Sequence, residues 1–540
     1  ANGTARSDGH RSEETLVDQG LITSERLAIF TSMQLGIPYV NLRTRSIDPS
    51  VVEGLPEATA RKYGIMPLEM DGNVLVVAIG DPANIQITEE LAALTRKRIE
   101  PVISTPEDIL ETIGVNYRAS GEIEKQLSQI PMAGQRAGSA GSAAQRVSAD
   151  AVAQAPVVRA IDLLIKQAVR DRASDVHMEP DENKLRVRFR IDGILHESMS
   201  LPLEVHAPLI SRLKIMAGMN IAERRRPQDG QITLKEGDKE IDIRVATSNT
   251  IHGEMAVLRI LDKTFAFRTL PELGISPSTM ETYERMLKTP FGMLVISGPT
   301  GSGKTTTLYA SVNMIDSVGR NIITIEDPVE YRFSNINQMQ VNPAAGVTFA
   351  GGLRACMRLD PDVILVGEIR DAETAQIGIQ AALTGHLVLS SVHANDAVGT
   401  LFRLIDLGAE PFLVASAIIG CAAQRMARRV CPHCARMGEA TPEEQLAYER
   451  EMGEKRTEFL HGAGCNVCAG TGYLGRIAIF EVFVISEAIR RMILSRASTD
   501  DLRNQAMQEG MVNLWHDGME KVKLGLTTPH EVIRNVYSIG

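Results

Sequence analysis

Gly298-Pro299-Thr300-Gly301-Ser302-Gly303-Lys304-Thr305 fits the pattern GxxxxGK(S/T) without a mismatch. The glycines allow backbone N–H groups to wrap phosphate oxygens, and a following helix aims its positive end at them. An apolar run, Met293–Ser297, precedes the loop, and 305–315 has the pattern of a helix. This strand–loop–helix order predicts a nucleotide triphosphate cradle over Gly298–Thr306 rather than a Gly-rich turn. Lys304 is expected to reach the β- and γ-phosphates, and the Thr305 hydroxyl to ligate Mg²⁺.

Working outward, three further short apolar runs follow: Ile322–Ile325, Val363–Val366 and Leu387–Ser390, separated by helical stretches. Such alternation predicts a parallel sheet covered on both faces. In a parallel sheet, strand ends that follow the same direction open on one edge, where ligands bind. Glu326-Asp327-Pro328-Val329-Glu330 ends one run and Gly367-Glu368-Ile369-Arg370-Asp371 another. Hydrolysis needs acids there to hold magnesium and orient water, so Glu326 and Glu368 join Thr305 as candidate magnesium-holding groups. His386 and His393 bracket the fourth run. They are expected to form a γ-phosphate sensor or a coupling element between strands.

The whole chain has 540 residues, too long for one hydrophobic core. An α/β multidomain protein is expected. A small α/β domain occupies 1–118; within it, Val74–Ile79 reads as a strand buried on both faces, and Thr105-Pro106 as a helix start. Ser128–Asp150 is rich in Ala, Gly, Ser and Gln, so 119–150 is read as a flexible linker. An α+β domain follows over 151–268. Its alternation Leu185, Val187, Phe189, Ile191 against Arg186, Arg188, Arg190 marks a strand, and Asp192-Gly193 a hairpin turn. The P-loop core is expected over 269–430, a cysteine-bearing insert over 431–476 and a helical region over 477–540.

No apolar run approaches the ~20 residues of a membrane-spanning helix. Residues 1–20 are polar and mixed in charge, unlike a signal peptide. A cytoplasmic protein is therefore expected, without direct membrane insertion. Net charge is −10, which weighs against a nucleic-acid track.

Four of the six cysteines form two CxxC pairs, Cys431-Pro432-His433-Cys434 and Cys465-Asn466-Val467-Cys468, with thirty residues between them. Four thiolates on two tight turns can close a tetrahedral zinc site with no open position, which makes it structural. A redox pair or an iron site competes with this reading; the paired knuckles, with Gly470 and Gly472 nearby, favour Zn²⁺. His433 is read as a bystander, and Cys356 and Cys421 as small buried apolar residues.

Taken in order, GPTGSGKTT, ITIEDPVE, LRACMRLDPDVILVGEIRD and TGHLVLSSVHAND resemble the Walker A, Asp box, Walker B and His box of the type II/type IV secretion ATPase superfamily. SDVHMEP and RVRFRIDG resemble its preceding PAS-like domain, and CPHC with CNVC the cysteine module of its export and pilus-assembly branch. The resemblance covers about 156–540. It implies a homohexamer that hydrolyses ATP between the RVRFRIDG-bearing domain and a RecA-like domain. It also implies that Glu330 is the general base and that Glu368 holds Mg²⁺, directly or through water. Arg188, Arg190, Arg226, Arg354 and Arg358 fall where the family has phosphate-sensing or subunit-bridging arginines; salt bridges holding the domains are the competing reading for each.

By the same resemblance, the N-terminal domain binds an inner-membrane platform protein and its cytoplasmic anchoring component, so the protein is peripheral to that membrane. Some relatives bind cyclic di-GMP there through Leu-rich motifs. Leu16–Ile22 resembles part of one but lacks the RLG start, so cyclic di-GMP binding is not the expectation. Type II secretion and type IV pilus assembly share all these boxes. A nucleic-acid translocase on the same core, and a nucleotide-gated scaffold without turnover, are the alternatives; intact Glu330 and Glu368 weigh against the scaffold.

Overall fold

A computed structural model describes residues 22–42, 45, 47, 51–52, 54–80, 85–117, 155–236, 239–261, 268–315, 318–465 and 467–536. The expected linker 119–150 and all of the motif Leu16–Ile22 except Ile22 lie outside the described residues.

The first domain is a three-stranded sheet, β1 (Ile65–Asp71), β2 (Val74–Ile79) and β3 (Arg98–Ile103), in that order. Leu75 and Val77 of the central strand are buried with Leu91 and Ile109, whereas Val74 and Val76 are only half-buried, so one face is less covered than the sequence implied. The helix Pro106–Asn116 starts as expected, with Thr105 Oγ1 accepting the Asp108 N–H at 3.1 Å.

The second domain is a six-stranded antiparallel sheet of β4 (Ala173–Pro180), β5 (Lys184–Ile191), β6 (Ile194–Pro202), β7 (Gln228–Glu236), β8 (Lys239–Thr250) and β9 (Gly253–Leu261), ordered β6-β5-β4-β9-β8-β7. Its core packs Val157, Ile161 and Leu164 of the helix Ala155–Arg170 against Val187, Phe189 and Leu258. Asp192 and Gly193 both have positive φ, 48° and 88°, and turn β5 into β6 as their sequence requires.

The third domain holds β10 (Gly292–Ser297), β11 (Ile322–Glu326), β12 (Asn337–Gln340), β13 (Val363–Val366), β14 (Leu387–Val392) and β15 (Ile418–Val430). After β15 the chain leaves for the cysteine module, whose β16 (Ala435–Glu439) and β17 (Glu458–Gly462) pair antiparallel. It then returns as β18 (Tyr473–Val484), antiparallel to β15. The sheet runs β12-β11-β13-β14-β10-β15-β18 and is parallel up to β15. The expected border between module and helical region, 476/477, therefore falls inside β18. The helices Glu487–Leu494, Thr499–Gln508, Leu514–Lys523 and Pro529–Val536 then pack on this same sheet: Ile489, Leu502, Met519 and Val532 share one core with Ile325, Val366 and Ala423. Burial of that continuous apolar layer makes the C-terminal helices part of the P-loop domain rather than a separate body.

Candidate functional site

β10 is buried along its whole length and delivers Gly298 to the start of the loop. Gly298 has φ 150°, and a Cβ there would lie 2.5 Å from the Gln424 carbonyl oxygen and 2.6 Å from Ser302 Oγ. Gly303, at φ 86°, caps the helix Lys304–Asn313 and would bring a Cβ to 3.0 Å from Gln424 Nε2. Both glycines are thus required by β15 packing beneath the loop, as well as by backbone conformation. Thr307 Oγ1 donates to Gln424 Oε1 at 2.7 Å and fastens the helix to that strand.

Lys304 folds over the loop, its Nζ donating to the Gly298 and Pro299 carbonyl oxygens at 2.8 and 3.1 Å. Burial pulls its pKa below the ordinary lysine range, the Glu368 charge opposes this, and Arg425 adds to the lowering. Thr305 is exposed and Thr306 half-buried at the first turn, while Ser302 is buried with its Oγ unpartnered.

Glu330 lies beyond the end of β11, its N–H donating to Tyr309 Oη at 3.3 Å. Its carboxylate is gripped by Arg244 of β8, with Nη1 to Oε1 3.1 Å and Nη2 to Oε2 2.9 Å. Glu368 follows β13, paired with Arg370 through Oε1 and facing His393 Nε2 at 3.8 Å from Oε2. Lys304, Glu330, Glu368 and His393 therefore come from the same edge of four strands, β10, β11, β13 and β14.

Two sequence-derived candidates sit elsewhere. Glu326 is 3 % exposed, and its oxygens accept from the Tyr309 hydroxyl, from Thr324 Oγ1 at 2.5 Å and from Gln338 Nε2 at 3.1 Å. A carboxylate so enclosed braces the Asp-box loop and does not present itself to a magnesium ion. His386 precedes β14, whereas His393 follows it. Six strand residues separate them, roughly 20 Å at strand rise. His386 Nδ1 lies 2.8 Å from the Ala381 carbonyl oxygen and belongs to the end of the helix Ala372–Leu383.

The arginines divide as well. Arg188 is held bidentately by Glu179 at 2.9 and 2.7 Å, and Arg190 by Asp175 at 3.6 Å and the Gly193 carbonyl oxygen at 3.0 Å. Arg354 pairs with Glu373. Arg226 and Arg358 are exposed, and the Arg226 backbone N–H donates to Glu223 Oε1. Within one chain the salt-bridge reading thus accounts for Arg188, Arg190 and Arg354. Sequence reasoning missed Arg244, Arg425 and Gln424. Arg244 stood in an alternating strand, Ile241–Val245, with nothing local to indicate an acid 86 residues downstream.

The four module cysteines bring their Sγ atoms within 4.8 Å of one another. Cys431–Cys465 is 3.8 Å, Cys434–Cys468 3.9 Å and Cys465–Cys468 3.6 Å. A tetrahedron with Zn–S bonds of 2.3 Å has edges of about 3.8 Å, so the donor set and its spacing fit such an ion. The Cys465 and Gly472 N–H groups donate to Cys468 Sγ at 3.2 Å each, favouring thiolate. His433 is half-exposed and outside the cluster.

A P-loop on a parallel sheet, flanked by acids at two neighbouring strand ends, defines a P-loop ATPase. Residues 150–534 match the family described as type II/IV secretion system protein, and 35–123 match the MshEN domain. The chain belongs to the type II/IV secretion system protein family. It is 40% identical over 536 residues to the type IV pilus assembly ATPase PilB of Myxococcus xanthus, covering 98% of this chain and 94% of that protein. It is 38% identical over 527 residues to the type II secretion system protein E of Xanthomonas campestris pv. campestris, covering 95% and 91%. The ATPase DotB of Legionella pneumophila shares the fold, with a TM-score of 0.52 at 19% identity over 69% of this chain and 94% of that one. Among the described residues, no helix is long and apolar enough to cross a membrane.

Proposed function

We propose that the chain is one subunit of a homohexameric ATPase that drives type II secretion or type IV pilus assembly through an inner-membrane platform. The observation that carries this reading is the convergence of Lys304, Glu330, Glu368 and His393 on one sheet edge beside the P-loop. Gly298–Thr306 would bind ATP. Thr305 and Glu368 would hold Mg²⁺, which when bound neutralises charge on the β- and γ-phosphate oxygens. Glu330 would orient and deprotonate the attacking water, its carboxylate aimed by Arg244. His393, facing Glu368, would sense the γ-phosphate. The exposed Arg226 and Arg358 remain available to act across a subunit boundary, where a guanidinium can stabilise charge growing on the transferred phosphoryl.

The cysteine cluster would hold Zn²⁺ as a closed structural site. The protein would work in the cytoplasm, held at the inner membrane by the platform protein and its anchoring component. Supporting the machine assignment are the curated relatives on both branches; their near-equal identity leaves both in the proposal.

Steady phosphate release from the assembled protein tests the reading. It should be abolished by Lys304→Ala and strongly reduced by Glu330→Gln. Turnover unchanged by Lys304→Ala would sink it, and turnover that depends on added DNA would point to a translocase instead.

A further inference from the structure

The loop His393–Asp396 carries the candidate γ-phosphate sensor at one end and a tie to the C-terminal helices at the other. His393 faces Glu368. The Asn395 carbonyl oxygen accepts Arg425 Nη2 at 2.6 Å, and the Asp396 carbonyl oxygen accepts the hydroxyl of Ser297, the residue just before the P-loop, at 3.4 Å. Asp396 then splits its carboxylate. Oδ1 caps the helix Ala397–Asp406 by accepting the Gly399 N–H at 2.6 Å, while Oδ2 accepts Arg503 Nη2 at 2.9 Å. Arg503 stands on the helix Thr499–Gln508, 107 residues away in sequence. Beside this pair, Glu481 of β18 is 4 % exposed and accepts the Ala397 N–H at 2.8 Å and the Leu514 N–H at 3.3 Å, so the starts of two helices share one carboxylate.

We propose that Arg503 is a positioning residue for ATP turnover. Through Asp396 it sets the His393 loop against Glu368, so that the placement of the C-terminal helices governs the γ-phosphate end of the site. This rests on the ATPase reading above and adds to it a route by which load on the C-terminal helices reaches the chemistry.

Two features favour a positioning role over a purely structural one. Arg503 and Asp396 are 39% and 27% exposed, and a pair so open to water adds little to stability. What the pair fixes is direction, because Asp396 is already anchored as a helix cap and Arg503 holds its second oxygen. The two helices it joins share buried Leu401 and Leu502, but the core is not filled at the edge of their contact. There Phe402 and Ile405 face Ile493, at the end of the preceding helix Glu487–Leu494, and Arg496, in the turn after it, across a cleft of about 420 Å³. An unfilled cleft beside an ion-paired joint leaves it more room to adjust than a fully filled core would.

The test is steady-state kinetics on the full chain with Arg503→Ala, Arg503→Lys, Asp396→Asn and the double variant Asp396→Asn/Arg503→Ala. Asparagine keeps the helix cap and loses the charge. Arg503→Ala should lower kcat about tenfold with KM for ATP within about twofold and an unchanged thermal midpoint, because a misplaced sensor affects the transition state more than nucleotide binding. Arg503→Lys should recover a large part of the loss. In the Asp396→Asn background, Arg503→Ala should cost less than about a further twofold, since one route has already been cut.

A kcat within about twofold of wild type for Arg503→Ala overturns the proposal, as do multiplicative losses in the double variant or a loss that appears only together with a lowered thermal midpoint. Lys304→Ala run alongside separates the two levels. If it retains turnover, the ATPase reading fails; if it is dead while Arg503→Ala is normal, only the joint fails.

Discussion

Arg244 of β8 and Glu330 beyond β11 bind guanidinium to carboxylate across the border between the second domain and the P-loop domain, at 3.1 and 2.9 Å. A guanidinium lying across both oxygens uses two of the roughly four lone-pair sites of a carboxylate, so Arg244 orients Glu330 and leaves sites to which a water can bind. The acid proposed as general base is therefore aimed by a residue of the neighbouring domain, which couples domain placement to chemistry.

Because both side chains are more than a quarter exposed, the pair should contribute about 0.5–1 kcal/mol in a double-mutant cycle of Arg244→Ala and Glu330→Gln read by thermal unfolding. Glu330→Gln should lower kcat about a hundredfold with little change in KM, as expected for loss of a general base. Strict additivity in the cycle would show that the contact carries no energy in solution.

Glu326 acts on the site through Tyr309. The buried Glu326 carboxylate accepts the Tyr309 hydroxyl, and that same oxygen accepts the Glu330 N–H. Burial and the Glu326 charge push the Tyr309 phenol well above its ordinary pKa, so it remains a donor at any working pH. Tyr309→Phe strands a buried carboxylate oxygen and should destabilise the domain by about 1–3 kcal/mol while lowering kcat. Glu326→Gln should leave the magnesium concentration for half-maximal turnover within about twofold of wild type. A large rise in that concentration would restore Glu326 as a magnesium ligand.

His386 and His393 give the clearest contrast between equivalent-looking residues. His386→Ala should leave kcat within about twofold of wild type, whereas His393→Ala, at the edge beside Glu368, should reduce it about tenfold or more. Equal losses from the two substitutions would contradict the separation that β14 imposes.

The legible parts of this chain were those fixed by short-range constraints. The P-loop glycines, the strands ending at Glu326 and Val366, the Asp192-Gly193 turn and the paired cysteines all act within a few residues, so spacing alone exposed them. The illegible parts depended on pairing between distant segments. β15 reads Ile-Ile-Gly-Cys-Ala-Ala-Gln-Arg-Met-Ala-Arg-Arg-Val, small residues with little β-branching, and its burial beneath the P-loop comes from flanking by β10 and β18 rather than from propensity. Gln424 and Arg425 were invisible for that reason. Glu326 was misjudged because strand-end position predicts which edge a residue reaches, but not whether neighbours such as Tyr309 and Gln338 enclose it.

The cysteine module should need its ion to fold. Tyr448 and Phe459, 5.0 Å apart edge-on, belong to the core shared with the P-loop domain, so the knuckles themselves pack only the four thiols with Val467 and Leu474, too little apolar surface to order them alone. The purified chain should carry zinc, measurable by elemental analysis. Cys465→Ser or strong chelation should release it and open 431–472 to proteolysis, while His433→Ala should retain it. Proteolytic resistance unaffected by complete metal removal would mean that the module does not depend on an ion.

Glu481 should impose a pH dependence on stability with a sign opposite to that of an ordinary surface acid. Burial pushes its pKa up to about 7, with Asp396 adding to the rise and the Ala397 and Leu514 N–H groups and Arg503 opposing it. The folded protein therefore holds this proton in a range where the unfolded chain has released it. The stabilising contribution is full below the unfolded value near 4.5 and is lost as pH rises through about 7. Across that window the loss amounts to about 3 kcal/mol. Glu481→Gln mimics the protonated form, so its stability relative to wild type should grow from pH 5 to pH 7 and level off above, measured by denaturant unfolding over about pH 5–8. A difference between the two proteins that stays flat over that range would mean that Glu481 ionises freely where it sits, with its two helix starts and Arg503 fully compensating for burial.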